Sequence, residues 1–192
     1  SFFRKGEYRV GQGIIRLPAP DKDDPDVLRL VERYRTIPRV DYRRPLQRIR
    51  TLNGANFFLS REIFERMGGF DERLGPGASG TSEDVDFAQR LCAANIAIGY
   101  VPQAIVYHRV DRARLTDEYF KKSHWRQGGS RFLIRKHGVA TILFDLGRAV
   151  ALYAYHAARR NERKRFRSKG RIYHYLGMLE AKLHHAMRRK PF

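Results

Sequence analysis

The residues best suited to chemistry are three acids in the stretch Gly77–Leu91, GASGTSEDVDFAQRL: Glu83, Asp84 and Asp86. A carboxylate that removes a proton from a hydroxyl must be fixed within hydrogen-bond reach of it, and a rigid helix end provides such a position. Acids in the first turn of a helix also stabilise its dipole, by about 0.3–1 kcal/mol each at exposed sites. The sequence therefore indicates either a general base or a charged helix start.

A second candidate for chemistry is His108, which ends the apolar pattern AIVYHRV. An imidazole at this position is a candidate ligand for a divalent metal ion. Taken alone, a histidine at a strand end is better explained by a hydrogen bond to the backbone, because one histidine does not make a metal site.

The elements that must position these side chains follow from the pattern of apolar and small residues. A loop of small residues, Gly75–Ser82, precedes a predicted helix over Glu83–Ala94, with Ser82 as its candidate N-cap. Another helix is predicted over Arg61–Met67, after a short strand. Two strands are predicted in IAIGYVP and AIVYHRV, separated by Pro102 and Gln103.

The N-terminal part is less regular. The stretch Tyr8–Leu17 is predicted to form a strand, a glycine break and a second strand. PAPDKDDPD is predicted to be an extended or turning loop because it contains three prolines. Helical spacing of apolar residues begins at Val27.

The charge of the chain restricts its partners. Its 39 Lys and Arg against 20 Asp and Glu give a formal net charge of +19, which implies nucleic acid, a lipid headgroup surface or a phosphorylated substrate. With 192 residues and 42% apolar content, the chain is long enough to fold around a core. The single cysteine, Cys92, excludes an internal disulfide and a metal cluster built on cysteine. The sequence contains no run of eighteen apolar residues and therefore predicts no membrane span.

Much of the positive charge lies in the C-terminal segment 157–192, which holds twelve Lys or Arg and two Glu. We expect a basic amphipathic helical extension over 141–192, following a domain over 1–140. The basic segment 157–192 is either a solvated helical hairpin or a surface that holds the protein at an anionic membrane. Binding to nucleic acid is an alternative from another class, disfavoured because no recognised nucleic-acid motif is present.

The segment Asn53–Val110 resembles the acceptor-binding half of a family 2 glycosyltransferase with the GT-A fold. The features that carry this resemblance are, in order, a small-residue strand before an Arg-Glu helix, the turn GGFDE, the acids Glu83, Asp84 and Asp86, the helix residue Arg90, and the double strand Y-x-P-x-A-x-V-x-H that ends in His108. A weaker match continues through RLTDEYFKKSHWRQGGS. VGQGIIRLP resembles the strand pair that follows the metal-binding aspartates of that family, so the resemblance covers about residues 8–135.

The resemblance implies an inverting transfer, in which an acceptor hydroxyl attacks the anomeric carbon of a nucleotide sugar. Asp84 would be the general base, and a Mg²⁺ or Mn²⁺ ion held in part by His108 would neutralise the departing diphosphate. The substrate-binding residues would be Gly54, Asn56, Glu83, Asp86, Trp125 and Arg126. The loop Gly75–Ser82 would be a lid that becomes ordered when the donor binds. For Trp125 and Arg126, a packed aromatic ring and a solvated cation are equally good explanations.

One departure from the family is informative. No Asp-x-Asp motif at a strand end is found upstream, and the letters DKDDPD at 21–26 lie in a proline-rich stretch after the strand. Because the chain also starts with SFFRKGEYRV, we expect a longer protein whose missing part carries the Asp-x-Asp motif and most of the donor site.

The sequence thus predicts an α/β fold: a GT-A (Rossmann-like) glycosyltransferase domain, incomplete at its N-terminus, with a helical C-terminal extension. The predicted enzyme is a metal-dependent transferase of the hexosyltransferase type acting on a glycan, polysaccharide or lipid-linked saccharide. We expect it in the cytoplasm, at the inner face of the membrane. The alternatives are a nucleic-acid- or anion-binding module, a retaining GT-A transferase and a non-catalytic scaffold.

Overall fold

The computed structural model describes residues 8–42 and 49–187. Their strands and helices are, in chain order, β1 (Val10–Arg16), α1 (Ala19–Lys22), α2 (Pro25–Tyr34), β2 (Phe57–Leu59), α3 (Arg61–Met67), α4 (Glu83–Ala93), β3 (Ile98–Tyr107), α5 (Asp117–Ile134), α6 (Val139–Ala158) and α7 (Glu162–Met187), with a turn of 3-10 helix at Arg112–Arg114. This mixture of a sheet and helices confirms the α/β class. Among the described residues, none of the helices combines the length and the hydropathy that a membrane span requires.

The chain forms two compact units that are interleaved in sequence. The first unit comprises Ser1–Val31, Ile37–Glu72 and Glu83–Asp111, and the second comprises Glu32–Thr36, Arg73–Ser82 and Arg112–Phe192. The division into domains over 1–140 and 141–192 stays a prediction. The predicted extension lies within the second unit, where its described part contains α7 and nearly all of α6.

The first unit is built on a sheet with the strand order β2-β1-β3. β1 is antiparallel to β2 and parallel to β3. The register between β1 and β3 shifts after Gly13. Gly13 lies opposite Val101, whereas the next residue, Ile14, lies opposite Ile105. The two strands predicted around Pro102 are therefore one strand with an irregularity at the proline, which has no N–H for the ladder. Likewise, the predicted break within 8–17 is absent, and β1 is continuous.

The stretch PAPDKDDPD also differs from its prediction, because it contains α1 and the start of α2. Proline is compatible with the first turn of a helix, where its missing N–H would have no intrahelical partner. Pro25 accordingly begins α2, and a proline occupies one of the first two positions of α1.

The core of the first unit fixes α4, which carries the candidate acids at its start. Phe87, Ala88 and Leu91 are fully buried along one face of α4 and pack with Val10 of β1 and Ile98 of β3. Burying one large apolar side chain stabilises a fold by about 1.5–3 kcal/mol. The buried residues begin within one helical turn of the acids, so the start of α4 is anchored to the sheet.

The second unit contains α5, α6 and α7, and α7 packs against both other helices. Glycine residues allow the backbones of α5 and α7 to approach each other closely. A Cβ atom added at Gly128 would lie 1.9 Å from the carbonyl oxygen of His174, and one at Gly177 would lie 2.1 Å from that of Trp125.

Burial, with smaller contributions from nearby positive groups, lowers the pKa of His174 to about 4, so this histidine is neutral at pH 7.

We predict that Gly128→Ala destabilises the protein by about 3 kcal/mol, because the added methyl group would separate two packed helices. The matched variant is Gly147→Ala in α6, where an added Cβ meets nothing within 4 Å. That variant is expected to stabilise α6 by about 0.5–1 kcal/mol, because alanine is a better helix former than glycine. Urea unfolding followed by circular dichroism measures both effects, and equal midpoints for the two variants would contradict the glycine-dependent packing.

Candidate active site

Both carboxylate oxygens of Asp84 are held by backbone N–H groups at the start of α4. Oδ2 accepts a hydrogen bond from the N–H of Gly54 at 2.8 Å, and Oδ1 accepts one from the N–H of Val85 at 2.7 Å. The side chain is partly buried. The carboxylate thus has a defined position while part of its surface remains accessible, as a group that must meet a substrate requires.

The turn that contains Gly54 is held in turn by Gln12 of β1. The Gln12 side chain accepts from the N–H of Asn53 at 2.6 Å and donates to the carbonyl of Asn56 at 2.8 Å. Only 1% of Gln12 is exposed, and its amide nitrogen also donates to the carbonyl of Gly13. The sequence analysis missed this positioning residue; its signal is a polar side chain between two glycines in the buried part of a strand.

Asn56 closes the other end of the same turn. Its side-chain nitrogen donates to the carbonyl oxygens of Ile14 at 2.8 Å and Ala104 at 2.9 Å, which joins β1 to β3 where their register shifts. Both partners are acceptors, so the orientation of the amide is unambiguous. Its NH₂ group therefore holds the sheet together, and its role in substrate binding stays a prediction.

Two further predicted residues, Gly54 and Glu83, border the Asp84 carboxylate. A Cβ atom added at Gly54 would lie 3.6 Å from Asp84 Oδ2 and 4.0 Å from Glu83 Oε1, which is ordinary van der Waals contact. Packing within the described residues therefore does not demand glycine here, and its hydrogen atoms leave room beside the two carboxylates. Glu83 is partly buried, and its carboxylate has no hydrogen-bond or ion-pair partner in the described part of the chain.

Asp86 has a structural partner. The side chain of Asp86 is 14% exposed, and its carboxylate pairs with Nε of Arg90 at 2.8 Å. Arg90 also donates to the carbonyls of Met67 at 2.5 Å and Gly69 at 2.6 Å, where α3 ends in a left-handed glycine turn. Asp86 thus orients Arg90, which holds that turn against α4. The predicted contact of Asp86 with substrate is untested.

His108 lies where the parallel strands β1 and β3 end. Its backbone N–H donates to the carbonyl of Arg16 at 2.8 Å. Its Nδ1 lies 2.8 Å from the carbonyl oxygen of Arg109, and because a carbonyl only accepts, Nδ1 carries the proton. In the neutral ring the lone pair is then on Nε2, the arrangement that a metal-ligating histidine needs.

The same strand ends border a crevice of about 540 Å³ in the first unit, lined by Ile15, Arg16, Leu17, Lys22, Leu28, Arg39, Asp41 and Tyr107. Ligands of open α/β sheets bind outside the carboxyl ends of the parallel strands. Three cations and one acid face this volume, and the acid, Asp41, pairs with Arg16 at 3.0 Å. The crevice is therefore suited to an anionic ligand.

Trp125 and Arg126 belong to the second unit. The indole N–H of Trp125 donates to a carboxylate oxygen of Glu180 at 2.5 Å, which ties α5 to α7. Arg126 is exposed, and within the described ranges its guanidinium has no hydrogen-bond or ion-pair partner. Its side chain runs along Gly80, where an added Cβ would lie 3.1 Å from Arg126 Cδ. Substrate contacts of both residues stay predictions.

The loop 75–82 is folded on itself and fastened to α5. The N–H of Gly80 donates to the carbonyl of Gly75 at 2.7 Å, and the hydroxyls of Ser79 and Ser130 are 2.7 Å apart. Ser82, expected to be an N-cap, has φ of 78° instead of the extended backbone of a cap. A left-handed non-glycine residue costs about 1–3 kcal/mol. The lid movement of this loop is untested.

We predict that Arg90→Met lowers the free energy of unfolding by about 2–3 kcal/mol, because the carbonyls of Met67 and Gly69 lose a charged donor and Asp86 loses its partner. The matched variant is Arg9→Met, which removes an exposed ion pair to Glu62. That change is expected to cost less than about 1 kcal/mol. Chemical denaturation of both proteins gives the comparison, and an equal loss would show that Arg90 does not hold the turn.

Comparison with known proteins identifies the family. The family model described as glycosyl transferase family group 2 matches residues 4–176, which is most of the chain. No curated protein and no solved structure gives a significant match. The match extends over the acids of α4, the strand that ends at His108 and the helices that follow, and it confirms the resemblance found in the sequence. The chain belongs to glycosyl transferase family group 2.

Proposed function

We propose that this protein is an inverting glycosyltransferase of the hexosyltransferase type, which moves a sugar from a nucleotide-sugar donor to a hydroxyl of a glycan, polysaccharide or lipid-linked saccharide. Family membership supports glycosyl transfer in general. The observation that carries the finer proposal is the Asp84 carboxylate, fixed by the N–H groups of Gly54 and Val85 and partly accessible.

In the proposed reaction, Asp84 accepts the proton of the acceptor hydroxyl as its oxygen attacks the anomeric carbon. The bond between that carbon and the diphosphate oxygen breaks on the opposite face, which inverts the configuration, and the nucleoside diphosphate leaves with the electron pair. The protonated Asp84 then returns its proton to solvent. Fixing the carboxylate in advance removes an ordering cost from this step, as for other positioned bases. Glu83, which has no partner in the described chain, would bind a sugar hydroxyl beside it.

A divalent cation, Mg²⁺ or Mn²⁺, is the cofactor we propose, and it would supply positive charge to the departing diphosphate. His108 suits one coordination position, because the proton on Nδ1 leaves Nε2 free to bind a metal. Within residues 8–42 and 49–187, however, no group of three or more His, Cys, Asp or Glu side chains is placed to hold an ion. His108 would therefore be one ligand among groups supplied by the substrate or by residues outside this set.

The crevice at the ends of β1 and β3 is the place we propose for a phosphate-bearing part of the substrate. Arg16, Lys22 and Arg39 supply positive charge, and its 540 Å³ lies in the range of small-molecule sites. His108 follows Tyr107, one of the crevice residues, directly in the chain. This location modifies the sequence-based hypothesis, since part of an anion site would lie within the present chain while the Asp-x-Asp motif and the rest of a GT-A domain would lie elsewhere.

The basic segment 157–192 is proposed to face an anionic membrane at the cytoplasmic side. The charge around α7 supports this proposal. The like charges of Arg35, Arg163 and Arg171 lower the pKa of Arg167, with Arg35 contributing most, so positive groups are crowded here. Residues 188–192 lie outside the described residues. A nucleic-acid ligand would need the same charge, but no recognised nucleic-acid motif is present in the sequence.

We predict that Asp84→Asn lowers sugar transfer by roughly a hundredfold or more. The amide oxygen can still accept from Gly54, but the amide takes no proton and presents NH₂ instead of an acceptor to Val85. Release of nucleoside diphosphate from a panel of nucleotide sugars, with Mn²⁺ and acceptor present, measures transfer by the full-length protein. The matched variant is Asp26→Asn, an exposed aspartate in the first turn of α2, which is expected to keep full activity. Equal activity of Asp84→Asn and wild type would remove Asp84 from the mechanism.

We also predict that Lys22→Gln raises KM for the phosphate-bearing substrate about three- to tenfold with little change in kcat, because it removes charge from the crevice without touching Asp84. Lys122→Gln changes the net charge equally on an exposed position of α5 and is expected to leave KM unchanged. A rise in the donor KM assigns the crevice to the donor, and a rise in the acceptor KM assigns it to an acceptor phosphate. If neither KM changes, the crevice does not bind a substrate anion through Lys22.

A further inference from the structure

The solvent-facing side of α6, in the second unit, is unusually apolar for an exposed surface. Ten of its exposed positions carry apolar residues, glycine or tyrosine: Val139, Ala140, Leu143, Phe144, Gly147, Val150, Ala151, Ala154, Tyr155 and Ala158. Phe144 is 73% exposed and Tyr155 is 53% exposed. Their spacing of three, four and seven residues places them on one side of the helix. Large contiguous apolar surfaces of this kind mark interaction sites in folded proteins.

The opposite side of α6 already has its partner within the unit. Ile142 and Ala149 are buried, and Ile142 packs with Phe132 of α5 and Met178 of α7. The charged pair of α6, Asp145 and Arg148, is joined at 3.3 Å. The exposed apolar face is therefore additional to the packing of α6 in the unit. The exposed Arg148 lies four residues after Phe144, at the border of the face.

Cations flank this apolar face at both ends. Arg135 and Lys136 precede α6, and Arg159 and Arg160 follow it, all four exposed. Arg159 lies over the ring of Tyr155 at 5.4 Å, which joins a cation to the rim of the face. Arginine and lysine beside an apolar surface extend their stems along it and keep the charge in a polar layer. A tyrosine that is half apolar and half polar prefers the same layer.

We infer that α6 is a membrane-docking helix, which lies in the plane of an anionic bilayer with its exposed apolar face among the upper acyl chains and its flanking cations among the headgroups. A helix of this length measures about 30 Å, so it would contribute an extended line of contact. The inference goes beyond the charge-based proposal for 157–192, because it assigns the penetrating face to α6 and not to the basic helix α7.

A second copy of the protein is the competing occupant, and the flanking charges disfavour it. If two α6 helices packed antiparallel, Arg135 and Lys136 of one would lie beside Arg159 and Arg160 of the other. If they packed parallel, each cationic end would meet its own equivalent. Both arrangements bring like charges together, which is destabilising, in a chain whose net charge is already +19. An anionic bilayer meets the apolar face and both cationic ends at once.

The test is flotation of the whole protein with neutral phosphatidylcholine vesicles and with vesicles that contain about one third phosphatidylglycerol. We expect wild type to bind the anionic vesicles at least tenfold more tightly. Phe144→Glu, which changes the most exposed large apolar side chain of the face, is expected to weaken that binding about tenfold or more. The matched variant is Ile105→Gln, at an exposed apolar position of β3 in the first unit, which is expected to bind as wild type does. Circular dichroism checks that each variant is folded.

A fourth protein, with Arg135, Lys136, Arg159 and Arg160 changed to glutamine, tests the charges separately. We expect its preference for anionic vesicles to weaken while its fold is kept, because the other cations of 157–192 remain. Equal binding to both vesicle types by wild type, or unchanged binding by Phe144→Glu, would overturn the inference. A wild-type dimer seen by light scattering that Phe144→Glu converts to monomer, without vesicle binding, would overturn it in favour of a second copy.

Discussion

The candidate chemistry of this protein depends on one hydrogen bond, from the N–H of Gly54 to Oδ2 of Asp84. That bond has a fixed geometry because both of its ends are anchored. Gln12 and Asn56 pin the turn around Gly54 to the sheet, and the buried face of α4 pins the start of the helix to the same core. A buried polar side chain that is fully hydrogen-bonded costs little and specifies position well, whereas removing one partner is expensive. The turn thereby gives Asp84 a position that helix propensity alone would not.

The acids at the start of α4 have divided roles in the structure, although the sequence presents them as one motif. Asp84 is held by backbone donors, Glu83 is left without a partner in the described chain, and Asp86 pairs with Arg90. Arg90 in turn holds the carbonyls at the end of α3. One short stretch thus contains a candidate base, a candidate ligand-binding acid and a structural acid.

The positive charge of the chain is distributed over both units and has more than one consequence. In the first unit, three cations line the crevice at the ends of β1 and β3, next in the chain to His108. In the second unit, cations flank the apolar face of α6, and the like charge of Arg35, with those of Arg163 and Arg171 on α7, lowers the pKa of Arg167. A net charge alone implied only an anionic partner, whereas its placement puts cations around a small crevice in the first unit and beside an apolar helix face in the second.

The sequence by itself determined the family, the α/β class, the helix with its acids, and the strand that ends at His108, because these follow from local motifs and from the periodicity of apolar residues. It did not predict Gln12, the helical start at Pro25 or the continuity of β1 and β3. Those features depend on partners distant in the chain: Gln12 bonds a turn about forty residues away, and Asn56 joins two strands. Only the tertiary structure decided that one face of α6 is buried and the other exposed, because apolar residues on both sides of a helix do not reveal which side has a partner.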